Sequence, residues 1–150
     1  MIVPDANLLL YAYDADGPFH GAAARWWQSC LSGRQPVGLC AVVVFAFVRL
    51  ATSQRVFARP LTIGEAQHHV QRWLERSVSV FLPAEAADLR RALAWLEAAG
   101  TGGNLTTDAQ IAAIARRCRG VVHTADPDFG RFAGVRWLNP LRSQGATGER

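Results

Sequence analysis

Four aspartates in this chain fall where an apolar strand ends or a helix begins: Asp5, Asp108, Asp126 and Asp128. Asp5 closes the run Met1-Ile2-Val3-Pro4, and the amide of Asn7 follows two residues later. Asp126 and Asp128 follow Val121-Val122-His123-Thr124, and Asp108 lies in Thr106-Thr107-Asp108-Ala109-Gln110. In open α/β sheets the ligand crevice lies outside the carboxyl ends of the strands, so acids delivered there face a ligand. Three or four carboxylates gathered at one end would repel one another unless a cation were present. Magnesium and manganese, hard ions that take oxygen ligands, would relieve that repulsion. Such a centre activates a water and steadies charge that develops on a phosphate. No cysteine or histidine cluster offers a softer alternative, because Cys30, Cys40 and Cys118 lack CxxC spacing. There is no GxxxxGK[ST] or GxGxxG loop to cradle a nucleotide.

The elements that would position these acids follow from periodicity. A first strand ends at Asp5, and Asn7 to Ala12 continues as helix or turn. His20 to Leu31 has helical spacing through Ala24, Trp27 and Leu31, and Val37-Gly38-Leu39 reads as a short strand. Ala41 to Thr52 is too long for a typical strand and is expected to be a buried helix with Arg49 as its only charge. Thr62 and Glu65 have the form of a capping box that opens a helix to about Glu75. Ser77 to Leu82 alternates as a strand, and Pro83 is expected to begin a helix with Ala86, Leu89, Leu93 and Leu96 on its apolar face. After the loop Gly100 to Asn104, a second capping box from Thr107 to Gln110 would start a helix to about Arg119, with Asp108 in its first turn. Val121 to Thr124 and Val135 to Leu138 complete the strands, the last at an edge. Strands and helices alternate, so the expected fold is one α/β domain with a mainly parallel sheet and helices on both faces.

Composition is consistent with that. The 150 residues are half hydrophobic and 19% charged, which excludes a disordered chain. The net charge is +4, and all sixteen basic residues are arginine. A basic balance favours a polyanionic partner. Asp5 interrupts the first apolar run and no charged segment precedes it, so no secretory leader is expected. The longest apolar stretch, Val37 to Val48, is too short to span a bilayer. A soluble cytoplasmic protein with reduced, buried cysteines is the expectation.

The stretches Val3-Pro4-Asp5-Ala6-Asn7, Thr106-Thr107-Asp108-Ala109-Gln110-Ile111-Ala112-Ala113 and Thr124-Ala125-Asp126-Pro127-Asp128-Phe129 resemble the three acidic motifs of PIN-domain ribonucleases, specifically the VapC toxins of toxin–antitoxin pairs. The resemblance covers residues 1–141 as a single PIN domain and leaves residues 142–150 as a polar tail. It implies an endoribonuclease dependent on Mg2+ or Mn2+ that cuts structured RNA such as tRNA or ribosomal RNA, leaving a 3′ hydroxyl and a 5′ phosphate. It implies a small VapB-type antitoxin as partner and a homodimer. Asp5, Asp108 and Asp126 match the metal-binding acids, and Asp128 matches an accessory one.

Many members carry a glutamate in the helix after the second strand, where this chain has Val44-Phe45-Ala46-Phe47-Val48-Arg49. Ala46 cannot ligate an ion, so the alternative is a weakened PIN-like module that binds RNA or an antitoxin. Glu65 and Glu97 are the conceivable substitutes, although Glu65 already serves a cap. Asn7, Thr107 and Thr124 are expected to orient carboxylates or water. Arg49, Arg55 and Arg59 are candidate RNA contacts, as are Arg116, Arg117 and Arg119, which also suit a helix carboxyl end without any ligand. His123, inside a strand, is expected to be a packed or partly exposed side chain rather than a base, and His68 and His69 sit in a helix with no nearby acid pattern. The five tryptophans fall in helices or a strand and are expected in the core or facing a partner.

Overall fold

In a computed structural model, which describes residues 1–142, five strands form one sheet in the order β3-β2-β1-β4-β5. The strands are β1 (Ile2–Pro4), β2 (Val37–Leu39), β3 (Ser79–Phe81), β4 (Val121–His123) and β5 (Arg136–Leu138), and every pairing is parallel. β1 and β2 are buried throughout, as their uninterrupted apolar sequences require of a sheet covered on both faces. The edge strands β3 and β5 are partly exposed. Six helices flank the sheet: α1 (Ala6–Tyr13), α2 (His20–Ser32), α3 (Ala41–Ala51), α4 (Ile63–Leu74), α5 (Ala86–Ala99) and α6 (Leu105–Arg117). A 3-10 turn, Pro127–Arg131, follows β4. The polar tail from Ser143 to Arg150 lies outside the described residues.

The strand order places the ligand crevice. The chain builds outward from β1 through β2 to β3, then returns to the other side of β1 with β4, so strand order reverses between β1 and β4. A crevice opens at such a switch point. Ile2, Val3 and Pro4 pair with Val121, Val122 and His123, so the two strands end level, and the amide of Asp5 donates to the carbonyl of His123 at 2.9 Å. Gly120 permits this approach, because a Cβ there would lie 2.8 Å from Val3 Cγ2.

α6 supplies much of the core, with Ala109 and the run Ile111 to Ala115 buried. Its start differs from the expected capping box. The helix begins at Leu105 with Asn104 at the cap position, and the amides of Leu105 and Thr106 donate to the carbonyls of Gly102 and Gly103. The glycine turn thus takes the amides of Leu105 and Thr106 and starts the helix two residues before Thr107, so the Gln110 amide already lies inside the helix, and the Gln110 side chain instead donates to the carbonyl of Thr106 at 3.2 Å. The other capping box forms in full: Glu65 N–H donates to Thr62 Oγ1 at 3.1 Å, and Thr62 N–H to Glu65 Oε2 at 2.7 Å.

α5 corrects two expectations. It starts at Ala86 rather than Pro83, because Asp88 Oδ2 accepts from the amide of Glu85 at 3.0 Å and sets the cap there. Its buried residues are Asp88 and Ala92, whereas Leu89 and Leu93 are 53% and 65% exposed. The rotation follows from an ion pair. Arg117 Nε on α6 donates to both oxygens of buried Asp88, at 3.1 and 2.9 Å, and Nη2 donates to the carbonyl of Pro83 at 2.6 Å. Arg117 therefore fastens α5 to α6 rather than facing the helix dipole alone. Asp88→Ala is expected to lower stability by about 2–3 kcal/mol, since a guanidinium and a cap amide both lose their acceptor. The midpoint of urea unfolding, followed by circular dichroism, measures it.

Candidate functional site

Asp5 lies at the carboxyl end of β1, buried, with the extended backbone of an N-cap to α1. Its Oδ1 accepts from the Ala6 amide at 2.7 Å, and its Oδ2 accepts from the Thr124 hydroxyl at 2.7 Å. Thr124, fully buried at the end of β4, uses its whole hydrogen-bonding capacity in this corner. Its single proton goes to Asp5, and its oxygen accepts from the Asp126 amide at 2.9 Å and from Asn7 Nδ2 at 3.3 Å. Asn7 Oδ1 in turn accepts from the amide of Ala125 at 3.4 Å. Asp126 caps the 3-10 turn, its Oδ1 accepting from the Asp128 amide at 2.8 Å, which leaves Asp128 exposed beside it.

Asp108, in the first turn of α6, joins this group through space. Its carboxyl is pushed up to about 7, first by burial and then by the charges of Asp5, Asp126 and Asp128. Asp5 is raised as well, by burial and more weakly by Asp126, while the bonds from Thr124 and Ala6 pull the other way. Among the described residues no arginine or histidine forms an ion pair with any of the four acids. Among those residues the negative charge is therefore left without a counter-ion.

The donor set, all carboxylate oxygen, has the chemistry that a hard divalent cation takes. It is loosely drawn together, because no three acidic, histidine or cysteine side chains among the described residues converge closely enough to hold an ion by themselves. Magnesium ordinarily keeps several waters, so a centre of few direct protein ligands still fits it.

The remaining expected residues lie elsewhere. Thr107 makes no hydrogen bond to the acids; it lines a groove of about 450 Å³ between α3, α5 and α6, with Ala46, Arg49 and Gln110. Among the described residues no carboxylate replaces the absent glutamate. Asp88 is the acid that lines this groove, and it is held by Arg117. Glu65 serves its cap, and Glu97 is exposed near the end of α5. Arg59 is paired with Asp16 at 3.0 Å on the surface, while Arg55 is exposed. His123 accepts from Trp26 Nε1 at 3.0 Å through Nδ1, and burial lowers it to about 4, so it is neutral near pH 7. Cys30 and Cys40 are buried thiols pushed up to about 11, which makes them inert. Asp88 was not singled out by the sequence, although its place three residues after Glu85 is the signal of a cap.

The profile of the PIN domain family matches residues 2–135. Ribonuclease VapC33 of Mycobacterium tuberculosis is 42% identical over 142 residues, covering 95% of this chain and 99% of its own length. The chain belongs to the PIN-domain family, among the VapC proteins. Ribonuclease VapC37 of the same organism is 40% identical over 140 residues, covering 93% of this chain and 97% of its own. The PIN fold is seen in solved structures too. VapC20 of Mycobacterium tuberculosis, a sarcin-ricin loop cleaving toxin, superposes with a TM-score of 0.68 at 22% identity, covering 91% of this chain and 99% of its own. VapBC2 from Rickettsia felis, bound to a DNA fragment from its promoter, gives 0.65 at 16% identity, covering 93% and 98%. None of the described helices is long and apolar enough to cross a membrane.

Two expected outcomes follow for this PIN domain. Thr124→Val, nearly isosteric, removes the donor to buried Asp5 and the acceptor for Asp126 and Asn7, so it should lower stability by about 1–3 kcal/mol in urea titration. In cation-free buffer the folded protein keeps a proton on Asp108 up to about pH 7, whereas an ordinary aspartate side chain gives it up near 3.8. The folded pKa is the raised one, so this group's contribution to stability is complete below about pH 4 and is lost as pH rises through about 7. Asp108→Asn should flatten that fall and raise Tm at about pH 8 by several degrees, at about 2–4 °C per kcal/mol for a domain of this size. Calorimetric melts across the pH range read both effects.

Proposed function

We propose that this chain is a metal-dependent endoribonuclease, the toxin of a toxin–antitoxin pair, cleaving structured RNA such as tRNA or ribosomal RNA. The observation that carries this is the gathering of Asp5, Asp108 and Asp126 with no basic partner among the described residues, where burial first and the neighbouring acids second push Asp108 up to about 7. Support comes from relatives that are named ribonucleases at 42% and 40% identity over nearly their whole length. Asp5, Asp108 and Asp126 would hold Mg2+ or Mn2+, with Asp128 assisting. When bound, the cation lowers the pKa of a water and neutralises charge developing on the phosphodiester.

The chain's own groups divide the remaining work. Thr124 orients one oxygen of Asp5 and anchors the Asp126 turn with the same hydroxyl. Asn7 steadies that hydroxyl and the Ala125 amide from the first turn of α1. Asp108 gives up its proton as positive charge arrives, so cation binding releases protons and strengthens as pH rises through about 7. Arg49, Arg55 and Arg59 remain candidate contacts for RNA phosphates. A VapB-type antitoxin and a second copy of the chain are the proposed protein partners, in the cytoplasm. VapBC2, one of the structures with this fold, is bound to a DNA fragment from its promoter.

Ala46 favours a second reading. It is 8% exposed, faces Thr107 and Gln110, and has no carboxylate in its place. A module with a weakened metal centre would bind RNA or antitoxin without cutting. Cleavage of a structured RNA with and without Mg2+ or Mn2+ separates the two. The expected result is metal-dependent cleavage that Asp5→Asn and Asp126→Asn each reduce by roughly two orders of magnitude or more, a loss of several kcal/mol from transition-state stabilisation, with folded circular dichroism spectra. RNA affinity with no metal-dependent cleavage would establish the binding module instead, and undiminished cleavage by Asp5→Asn would overturn the assignment of the acids.

A further inference from the structure

Where α6 ends beside the edge strand β5, exposed arginines gather. Arg116 lies in the last turn of α6, Arg119 lies just past its end, and Arg136 opens β5; all three are exposed. Two contacts fix them side by side. The Arg116 guanidinium rests on the backbone at Gly134, where a Cβ would lie 3.1 Å from Nε and 3.2 Å from Cζ. Arg136 Nη2 donates to the carbonyl of Arg119. Arg119 itself has a φ of 55°, in the left-handed region where the residue after a helix is ordinarily glycine. Next to this group, exposed Arg90 and Arg91 of α5 line a shallow depression with half-buried Trp95, and Trp95 packs against Phe132 with ring centroids 5.1 Å apart. Phe132 precedes Gly134 by two residues, so the α5 arginines adjoin the same segment.

No acid among the described residues pairs with Arg90, Arg91, Arg116, Arg119 or Arg136. The carboxylates that α5 presents nearby are already engaged, because Arg117 takes Asp88 at 2.9 Å and Glu85 at 3.1 Å. One guanidinium thus holds the two helices together, while its sequence neighbours Arg116 and Arg119 face solvent. The dipole of α6 favours cations at its carboxyl end, but Arg91 and Arg136 belong to other elements, so the dipole does not account for the gathering. Like charges held together without an acid are relieved by an anion with several charges of its own.

Guanidinium groups repeated along a surface match the repeated phosphates of a nucleic acid, since each forks onto phosphate oxygens and reads no base. We propose that the face formed by Arg91, Arg116, Arg119 and Arg136 binds the phosphodiester backbone of RNA away from the point of cleavage. Asp108 and Arg116 stand at opposite ends of α6, about 12 Å apart along its axis at about 1.5 Å per residue. The face therefore takes a different part of the strand from the part at the acids. That the polyanion is RNA rests on the proposed ribonuclease activity; that a polyanion binds here rests on the arginines. The sequence offered Arg116, Arg117 and Arg119 as separate contacts, whereas the fold gives Arg117 to Asp88 and adds Arg91 and Arg136.

Fluorescence anisotropy of a labelled RNA hairpin with the full chain, in EDTA to withhold the cation and at several salt concentrations, tests this face. Replacing Arg116, Arg119 and Arg136 together by alanine is expected to weaken binding tenfold or more. The slope of log affinity against log salt should fall by about 2–3, since each phosphate contact contributes about 0.7–0.9. Arg119→Gly should weaken binding severalfold while thermal unfolding shows the fold retained or firmer, because glycine suits the left-handed φ. Arg72→Ala, exposed on α4 beside the opposite edge strand β3, should leave binding unchanged. RNA binding untouched by the triple replacement would overturn the proposal. So would displacement of the hairpin by poly-glutamate as effectively as by unlabelled RNA of equal charge, which would assign the face to an acidic protein. RNA bound through these arginines by a chain without metal-dependent cleavage would leave the face standing and remove the ribonuclease reading, whereas a wild-type chain that binds no RNA would overturn both.

Discussion

One threonine hydroxyl holds the business end of this fold together. Thr124 gives its proton to Asp5 at the end of β1 and accepts from the backbone of Asp126 after β4. The bond joins two segments separated by 119 residues in the chain, and its geometry requires β1 and β4 to be neighbours that end at the same level. That requirement is met because the strand order turns back at β1 and because Gly120 lets the strands close. The sheet is short, with three residues to a strand, so its carboxyl edge is defined by these few contacts rather than by a long ladder.

The same corner is where the fold is least content. Burial and like charge raise Asp5 and push Asp108 up to about 7, and no basic side chain among the described residues neutralises them. Strain of this kind, stored at the candidate site, is offset by the rest of the molecule. α6 is well suited to carry it, since its middle is buried among alanines and isoleucines and its far end is fastened to α5 through Arg117 and Asp88. A helix held along its middle and at its far end can present an acid toward other acids without tilting away.

The acids were legible because aspartate at a strand end or in a first helical turn is a local pattern. The strands and helices were legible for the same reason: hydrophobic periodicity is set by near neighbours in the chain. The misreadings share a cause as well. The Thr107 capping box was displaced by a glycine turn that starts the helix two residues earlier, and the apolar stripe of α5 was turned outward by an ion pair between residues 88 and 117. In each case a contact from outside the segment outweighed a local preference of about a kcal/mol or less.

The amino-acid sequence by itself determined an alternating α/β chain, four acids at element ends, and the family to which those motifs belong. Only the tertiary structure decided which acids interact, that Thr124 rather than Thr107 serves them, and that Ala46 has no carboxylate in its place. It also gathered Arg116, Arg119 and Arg136 on one face and gave Arg117 to Asp88 instead. The physical reason is one of range. Periodicity and capping act over three or four residues and are written in the chain, whereas electrostatic coupling and hydrogen bonding between strand ends depend on distances that exist only after the sheet has formed.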